Sequence, residues 1–115
     1  MFNSYSDNDQ LMMTLVQNDI NTFPHIKNPS REVILTALKI NPGYIIQHIS
    51  RSIKDGDLEI QTIAVNDTWW SICYIDNLYP DIQLVAIKQD KRALVYFKCI
   101  PTDQAIQLHN MIWKI

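Results

Sequence analysis

The chain has 115 residues, and its ten Lys and Arg against twelve Asp and Glu exclude a strongly basic nucleic-acid-binding module. Apolar residues make up 47% and charged residues 19%, which excludes a disordered chain and predicts one folded domain over residues 1–115. Its two glycines, Gly43 and Gly56, are too few for a phosphate-binding or dinucleotide-binding loop, or for the hairpin turns of a β-sandwich. A mostly helical protein is therefore predicted.

The chain carries no sign of a membrane or secreted protein. Its first residues lack the basic and apolar regions of a signal peptide, and no apolar run approaches the roughly 18 to 20 residues that span a bilayer. Cys73 and Cys99 do not form a C-x-x-C motif and lie among apolar residues, which favours small buried side chains in a reducing compartment over a disulfide. We therefore expect a cytoplasmic protein with no membrane partner.

Four similar segments follow one another along the chain. Each has an acidic residue, then five positions later a central residue, which a branched apolar residue follows directly; the central residues are Thr14, Ala37, Ala64 and Ala86. They are spaced by 23, 27 and 22 residues. A fifth, partial copy begins at Asp103. Self-similarity of this kind is typical of repeat architectures.

Each segment is predicted to form two short helices. The first has an apolar stripe with a 3.6-residue period, and its start is marked by capping or proline residues: Ser6, Ser30, Asp57, Pro80 and Thr102. The second starts at a polar residue four positions after the central one, Asn18, Asn41, Thr68 or Asp90. The sequence predicts an all-α fold of about four and a half antiparallel helical-hairpin units, about nine helices, stacked as a compact solenoid.

Two of these segments resemble a known repeat. Ala37-Leu38-Lys39-Ile40-Asn41-Pro42, and Ala86-Ile87-Lys88-Gln89-Asp90 with the following Ala93 to Phe97, are similar to a short α-helical hairpin repeat of bacteriophage, giant-virus and protist proteins. The first and third segments depart from that pattern, with Asp19 or Trp69 where the repeat prefers proline. The resemblance covers roughly residues 8 to 115. It implies a repeat fold and a viral origin, and it implies no reaction.

The sequence offers no catalytic or metal-binding motif, so we predict no enzyme activity, no cofactor and no metal. His25 and His48 occupy a repeat position that holds Ile75 and Phe97 in later segments, which indicates a packing position. The carboxylate pairs Asp57 with Glu59 and Asp76 with Asp81 are better explained as helix caps and first-turn acids than as an acid–base pair.

The third segment suggests a binding site. Trp69 and Trp70 replace residues that are mostly polar or small in the other segments, and neighbouring helical residues point about 100° apart, so we expect one indole to remain accessible. Acidic residues surround them, among them Asp57, Glu59, Asp67 and Asp76. Aromatic anchors ringed by one sign of charge are typical of protein-binding hot spots. We therefore expect a non-enzymatic interaction protein, a phage-encoded inhibitor or modulator that binds and blocks a host defence protein with a basic surface.

Charge alternates in blocks along the chain, with net values of −3 over residues 1–19, +4 over 20–54, −6 over 55–87 and +3 over 88–115. The last block supplies the alternative hypothesis, a small nucleic-acid-binding or virion-associated protein that uses Lys88, Lys91, Arg92 and Lys98. A second copy of the chain, forming a homodimer through the tryptophan pair, is the alternative protein partner.

Overall fold

The computed structural model describes residues 7–66 and 68–113. These residues are helical throughout, with no strand, and form eight α-helices and three 3₁₀-helices (η). In chain order they are α1 (Asp7–Asn18), η1 (Ile20–His25), α2 (Arg31–Ile40), α3 (Pro42–Ile45), η2 (Ile46–His48), α4 (Arg51–Asp55), α5 (Leu58–Val65), η3 (Trp69–Tyr74), α6 (Pro80–Gln89), α7 (Ala93–Tyr96) and α8 (Asp103–Ile112). The prediction of an all-helical chain is confirmed for this part of the protein.

The longer helices pack one after another in chain order. Helix α2 packs against α1 and α5, and α6 packs against α5 and α8. The shorter helices make a second row, in which η3 lies between α3 and α7. One continuous apolar core runs through the compact body, whose principal dimensions are 55 × 23 × 22 Å.

Four of the predicted helix starts, at Ser30, Asn41, Asp57 and Thr102, are confirmed by their capping bonds, while Ser6 lies outside the described residues. Ser30 Oγ accepts a hydrogen bond from the Val33 backbone N–H at 3.3 Å, and Asp57 and Thr102 accept equivalent bonds at the starts of α5 and α8. Asn41 Oδ1 accepts from the backbone N–H of Tyr44, and Pro42 stands at the first position of α3, where its missing N–H costs nothing. These bonds satisfy N–H groups that a helix cannot pair internally.

The first segment is shifted by one residue from the predicted alignment. The cap of η1 is Asp19, whose side chain accepts from the Asn21 N–H, and not Asn18, which ends α1. Val16 is buried directly after Leu15, as Leu38 is buried directly after Ala37, whereas Thr14 is exposed. The structural counterpart of Ala37 is therefore Leu15. The two residues are 22 positions apart, the same spacing as Ala64 and Ala86. Because Leu15 and Val16 are both apolar, the sequence fits either alignment. The capping residue Asp19 shows which alignment the structure has.

The 27-residue spacing in the middle of the chain has a structural cause that the sequence pattern did not indicate. Helix α4 is inserted between η2 and α5, and it packs against α5. Thr68, predicted as a capping residue, precedes η3 without a side-chain capping bond.

The prediction that His25 and His48 fill packing positions is wrong, since both are exposed. Their neighbours turn inward instead: Ile26 is half-buried and Ile49 is buried. Each neighbour is the extended residue that ends its 3₁₀-helix, which places the inward position one residue later than predicted. The ring of His48 meets the edge of Tyr44 at a centroid distance of 4.9 Å.

Two buried glutamines connect α5 to α6 and α6 to α8. Gln61 donates to the carbonyls of Lys54 and Asn77, both at 2.9 Å, and accepts from the backbone N–H of Tyr79 at 3.0 Å. Gln83, three residues before Ala86 as Gln61 is before Ala64, accepts from the backbone N–H of Thr102 at 2.9 Å. Tyr79 and Thr102 are the residues directly before α6 and α8. The buried amide groups thus fix where the next helix begins.

Replacing Gln61 with Met should lower the free energy of unfolding by about 2–3 kcal/mol, because the Tyr79 N–H and the linker carbonyls lose their buried partner. Chemical denaturation monitored by circular dichroism measures the change. The control Gln107→Met lies on the exposed side of α8 and should change stability by less than about 0.5 kcal/mol. Equal effects of the two substitutions would contradict the role assigned to Gln61.

Candidate functional site: the tryptophan pair and its charged surroundings

Trp70 lies over the backbone of Gly43. A Cβ atom at Gly43 would fall 2.7 Å from Cζ2 of Trp70 and nearer still to Cη2, so only glycine admits the indole here. Gly43 is buried, while Trp70 keeps 43% of its surface exposed. The indole therefore covers the neighbouring helix α3 with one part and faces solvent with another, in agreement with the expectation that one tryptophan remains accessible.

Trp69 points to the other neighbour, α7. The guanidinium carbon of Arg92 lies 5.1 Å from its ring centroid, a cation–π geometry, and the ring of Tyr96 lies 6.0 Å away. Trp69 is half-buried and Tyr96 is exposed. We call Trp69, Trp70 and Tyr96 the aromatic strip. It connects η3 to α3 on one side and to α7 on the other.

Arg92 is held in place by a carboxylate. Its Nη2 donates to Asp90 Oδ2 at 2.8 Å, and its Nε and backbone N–H both donate to Asp90 Oδ1. These hydrogen bonds lower the pKa of Asp90 to about 2. The guanidinium therefore has two fixed contacts, the carboxylate and the indole of Trp69, and the sequence pattern indicated neither.

Asp57 and Glu59, predicted as part of an acidic binding surface, are paired with a base from α2. Arg31 donates through Nε to Asp57 at 2.8 Å and through Nη2 to Glu59 at 2.6 Å. The hydrogen bonds from Arg31 hold the pKa of Asp57 below its usual value, although partial burial acts in the opposite direction. The capping bond from the Ile60 N–H lowers it further.

Asp76 is also paired. Arg51 Nε forms an ion pair with Asp76 Oδ2 at 2.6 Å, and Lys98 lies 4.0 Å away. Asp55, the last residue of α4, accepts hydrogen bonds from the backbone N–H groups of Asp76 and Asn77. The remaining predicted acid, Asp67, lies outside the described residues.

The alternating charge blocks therefore meet at the contacts between successive segments. Arg31 and Arg51 belong to the basic second block, Lys98 belongs to the basic fourth block, and all three lie beside acids of the third. The predicted ring of acids around the tryptophan pair did not include these basic partners. The signal for pairing was the regular alternation of sign, which favours attraction between neighbouring blocks.

The four bases of the alternative site lie in different surroundings. Lys88 borders a cleft between α6 and α8 together with Gln104 and Gln107. Arg92 contacts Trp69 and Asp90, and Lys98 lies beside Asp76. Lys91 is exposed in the turn before α7. Two of the four thus already have acidic neighbours within the chain.

The described residues contain no group of three or more His, Cys, Asp or Glu side chains that could hold a metal ion. Cys73 and Cys99 are free thiols and half-buried, and Cys99 Sγ lies 3.5 Å from the Gln83 side-chain nitrogen. In the same residues no helix has the length and apolar character to cross a bilayer.

Comparison of the chain with protein-family models, with curated proteins and with solved structures finds no match.

Substituting Gly43 with Ala should destabilise the protein by about 1–3 kcal/mol, because the new methyl group overlaps the Trp70 indole. In a Trp70→Ala background the same change should be neutral or stabilising by up to about 1 kcal/mol, since the φ angle of Gly43 is not positive and Ala is the better helix former. Thermal and chemical denaturation of the four proteins in this cycle measure the coupling. Additive effects would contradict the contact.

Asp57→Asn should cost about 0.5–1 kcal/mol at pH 7, because Asn still caps α5 but loses the charge paired with Arg31. The folded-state pKa of Asp57 is lowered, so its stabilising effect is present above the unfolded pKa near 4 and is lost as the pH falls through the folded value. The difference between wild type and variant should therefore disappear at low pH.

Unfolding curves recorded between pH 7 and about pH 2 test this pH dependence. In an Arg31→Gln background the Asp57→Asn substitution should show a much weaker pH dependence, because the main cause of the lowered pKa is gone. Identical pH profiles in the two backgrounds would show that Arg31 is not that cause.

Proposed function

We propose that the protein is a non-enzymatic interaction module that binds a protein partner through the aromatic strip. The observation that carries the proposal is the position of Trp70 and Tyr96, which combine fixed packing with 43% and 51% exposure. Trp, Tyr and Arg are the side chains most enriched in binding hot spots, and Arg92 lies against Trp69 in the same strip. A rigid aromatic surface loses little conformational entropy when it binds.

The proposed architecture is a stack of helical-hairpin units, each made of a longer helix and a following shorter one. In support, the longer helices contact one another in chain order, and the positions equivalent to Ala37 and Leu38 are buried in α2, α5 and α6 alike. Stacked helical repeats present extended surfaces that commonly serve as binding sites. The aromatic strip crosses three successive units of this stack.

The proposed partner is a host protein, and the proposed role is to block one of its contact surfaces as a phage-encoded inhibitor. The resemblance of the second and fourth segments to a repeat of viral proteins supports this origin. Asp57, Glu59 and Asp76 are paired with Arg31 and Arg51 within the chain, so a basic partner surface would compete with these arginines for them. We therefore expect the aromatic strip to contribute more affinity than the acids.

Affinity capture from host lysate, followed by titration of the purified partner, tests the proposal. A Trp69→Leu, Trp70→Leu double variant keeps apolar side chains in the strip but removes both indoles. It should weaken binding at least about 30-fold, as expected for loss of a hot spot worth about 2 kcal/mol. Tyr79→Leu, which alters an exposed aromatic residue away from the strip, is the matched control and should leave affinity unchanged.

Equal capture by wild type and the double variant would exclude the aromatic strip as the site. Recovery of nucleic acid instead of protein, with retention that falls steeply as salt rises, would favour the alternative function through Lys88, Lys91, Arg92 and Lys98. Changing Asp57, Glu59 and Asp76 to their amides should reduce affinity less than the loss of the indoles.

A further inference from the structure

A cavity of about 430 Å³ lies where the inserted helix α4 meets the first two segments. Volumes of about 300–1,000 Å³ are typical of small-molecule sites. The lining residues come from η1, α2, η2, α4 and the linkers that follow the two 3₁₀-helices. Among the apolar ones, Phe23, Ile34 and Ile49 are buried, Ile26 is half-buried, and Ile53 of α4 is 39% exposed. The cavity thus has an apolar interior that connects the core with the surface.

Four polar side chains complete this lining, namely Lys27, Asn28, His48 and Ser50, and all four are exposed. In the part of the chain that the structure describes, none of these side chains has a hydrogen-bond or ion-pair partner, and the ring of His48 contacts only the edge of Tyr44. Ammonium, amide, imidazole and hydroxyl groups can all donate hydrogen bonds. The cavity therefore combines an apolar interior with donors that no described side chain uses.

The charge around the cavity has one sign. Its titratable lining residues are Lys27 and His48, and no acid is among the described residues that line it. The whole lining belongs to the basic block of residues 20–54, which has five bases and one acid. Arg31 and Arg51 of the same block are paired with acids of the third segment, whereas Lys27 has no such partner in the described residues. The cavity is therefore complementary to a ligand with a negative charge.

Helix α4, which forms one wall, is held in place by polar contacts with the following segment. Gln61 donates to the carbonyl of Lys54 at 2.9 Å, and the Asp55 carboxylate accepts from the backbone and the side chain of Asn77. The same helix interrupts the repeat, since the other described segments have no counterpart of it. Departures from an otherwise consistent pattern are expected at functional sites. The insertion that breaks the spacing thus also builds the cavity.

We propose that this cavity binds a small aliphatic carboxylate. The aliphatic chain would lie against Ile26, Ile49 and Ile53, and the carboxylate would accept hydrogen bonds from Lys27 and His48 at the surface. No residue of the aromatic strip lines the cavity, so this site is separate from the one proposed for a protein partner.

NMR of the isoleucine methyl groups during titration with octanoate or octylammonium tests the proposal. Octanoate should shift the methyl signals of Ile26, Ile49 and Ile53 and leave that of Ile100, which is 90% exposed and does not line the cavity, unchanged. Its dissociation constant should be below about 1 mM and at least about tenfold lower than that of octylammonium, because the two probes share a chain and differ in the sign of their charge.

Two variants separate the charge from the apolar interior. Lys27→Gln should weaken octanoate binding about fivefold and leave binding of neutral 1-octanol unchanged, because it removes the cation only. Ile53→Trp should abolish binding of both probes by filling the cavity. Lys39→Gln, which alters an exposed lysine of the same basic block outside the cavity, is the matched control and should bind both probes like wild type.

The site is excluded if octanoate shifts Ile100 as strongly as the cavity methyl groups, or if it shifts none of them at about 10 mM. Equal affinities for octanoate and octylammonium, or unchanged octanoate binding by Lys27→Gln, would contradict the assigned role of the charge. Circular dichroism verifies the fold of each variant. The capture experiment with the Trp69→Leu, Trp70→Leu variant addresses a different surface, so either proposal can fail without the other.

Discussion

None of the helices in residues 7–66 and 68–113 can be stable by itself, and the rest of the structure depends on that constraint. The longest, α1, has 12 residues and α5 has eight, while isolated helices shorter than about 12–15 residues are marginal in water. Each helix therefore depends on apolar packing against its neighbours. The repeated burial of positions such as Val33, Ala37 and Leu38 meets this need, and it makes the stability of each segment a property of the contact with the next.

Apolar contact alone would allow neighbouring helices to slide past one another, and the polar groups between them remove that freedom. The buried amide of Gln61 pairs with the N–H directly before α6, and Gln83 does the same before α8. A shift of either helix by one residue would leave a buried donor unpaired, which costs more than the bond itself contributes. The ion pairs of Arg31 and Arg51 with acids of the third segment act at the surface, where their contribution is smaller.

The local chemistry of the chain could be predicted, and the relations between distant segments could not. The caps at Ser30, Asp57 and Thr102 depend on residues within one turn, so the pattern indicated them correctly. The one-residue shift at Leu15 and the inserted helix α4 escaped prediction because neighbouring apolar residues allow two registers and because α4 repeats no pattern. Contacts such as Trp70 with Gly43 join residues far apart in sequence. For this contact the sequence pattern identified Trp70 as unusual but did not identify Gly43 as its partner.

An unusual residue in one of several similar segments can serve either to pack that segment against its neighbours or to bind a partner. The tryptophan pair illustrates both possibilities. Trp70 covers Gly43 and Trp69 holds Arg92, so each indole joins the third segment to a neighbour. A side chain with only this role could be fully buried, yet Trp70 leaves much of its surface to solvent. Packing therefore fixes the indole, and its exposed part remains available to a partner. No flexible segment is needed to position these side chains, because contacts with α3 and α7 hold the aromatic strip in place.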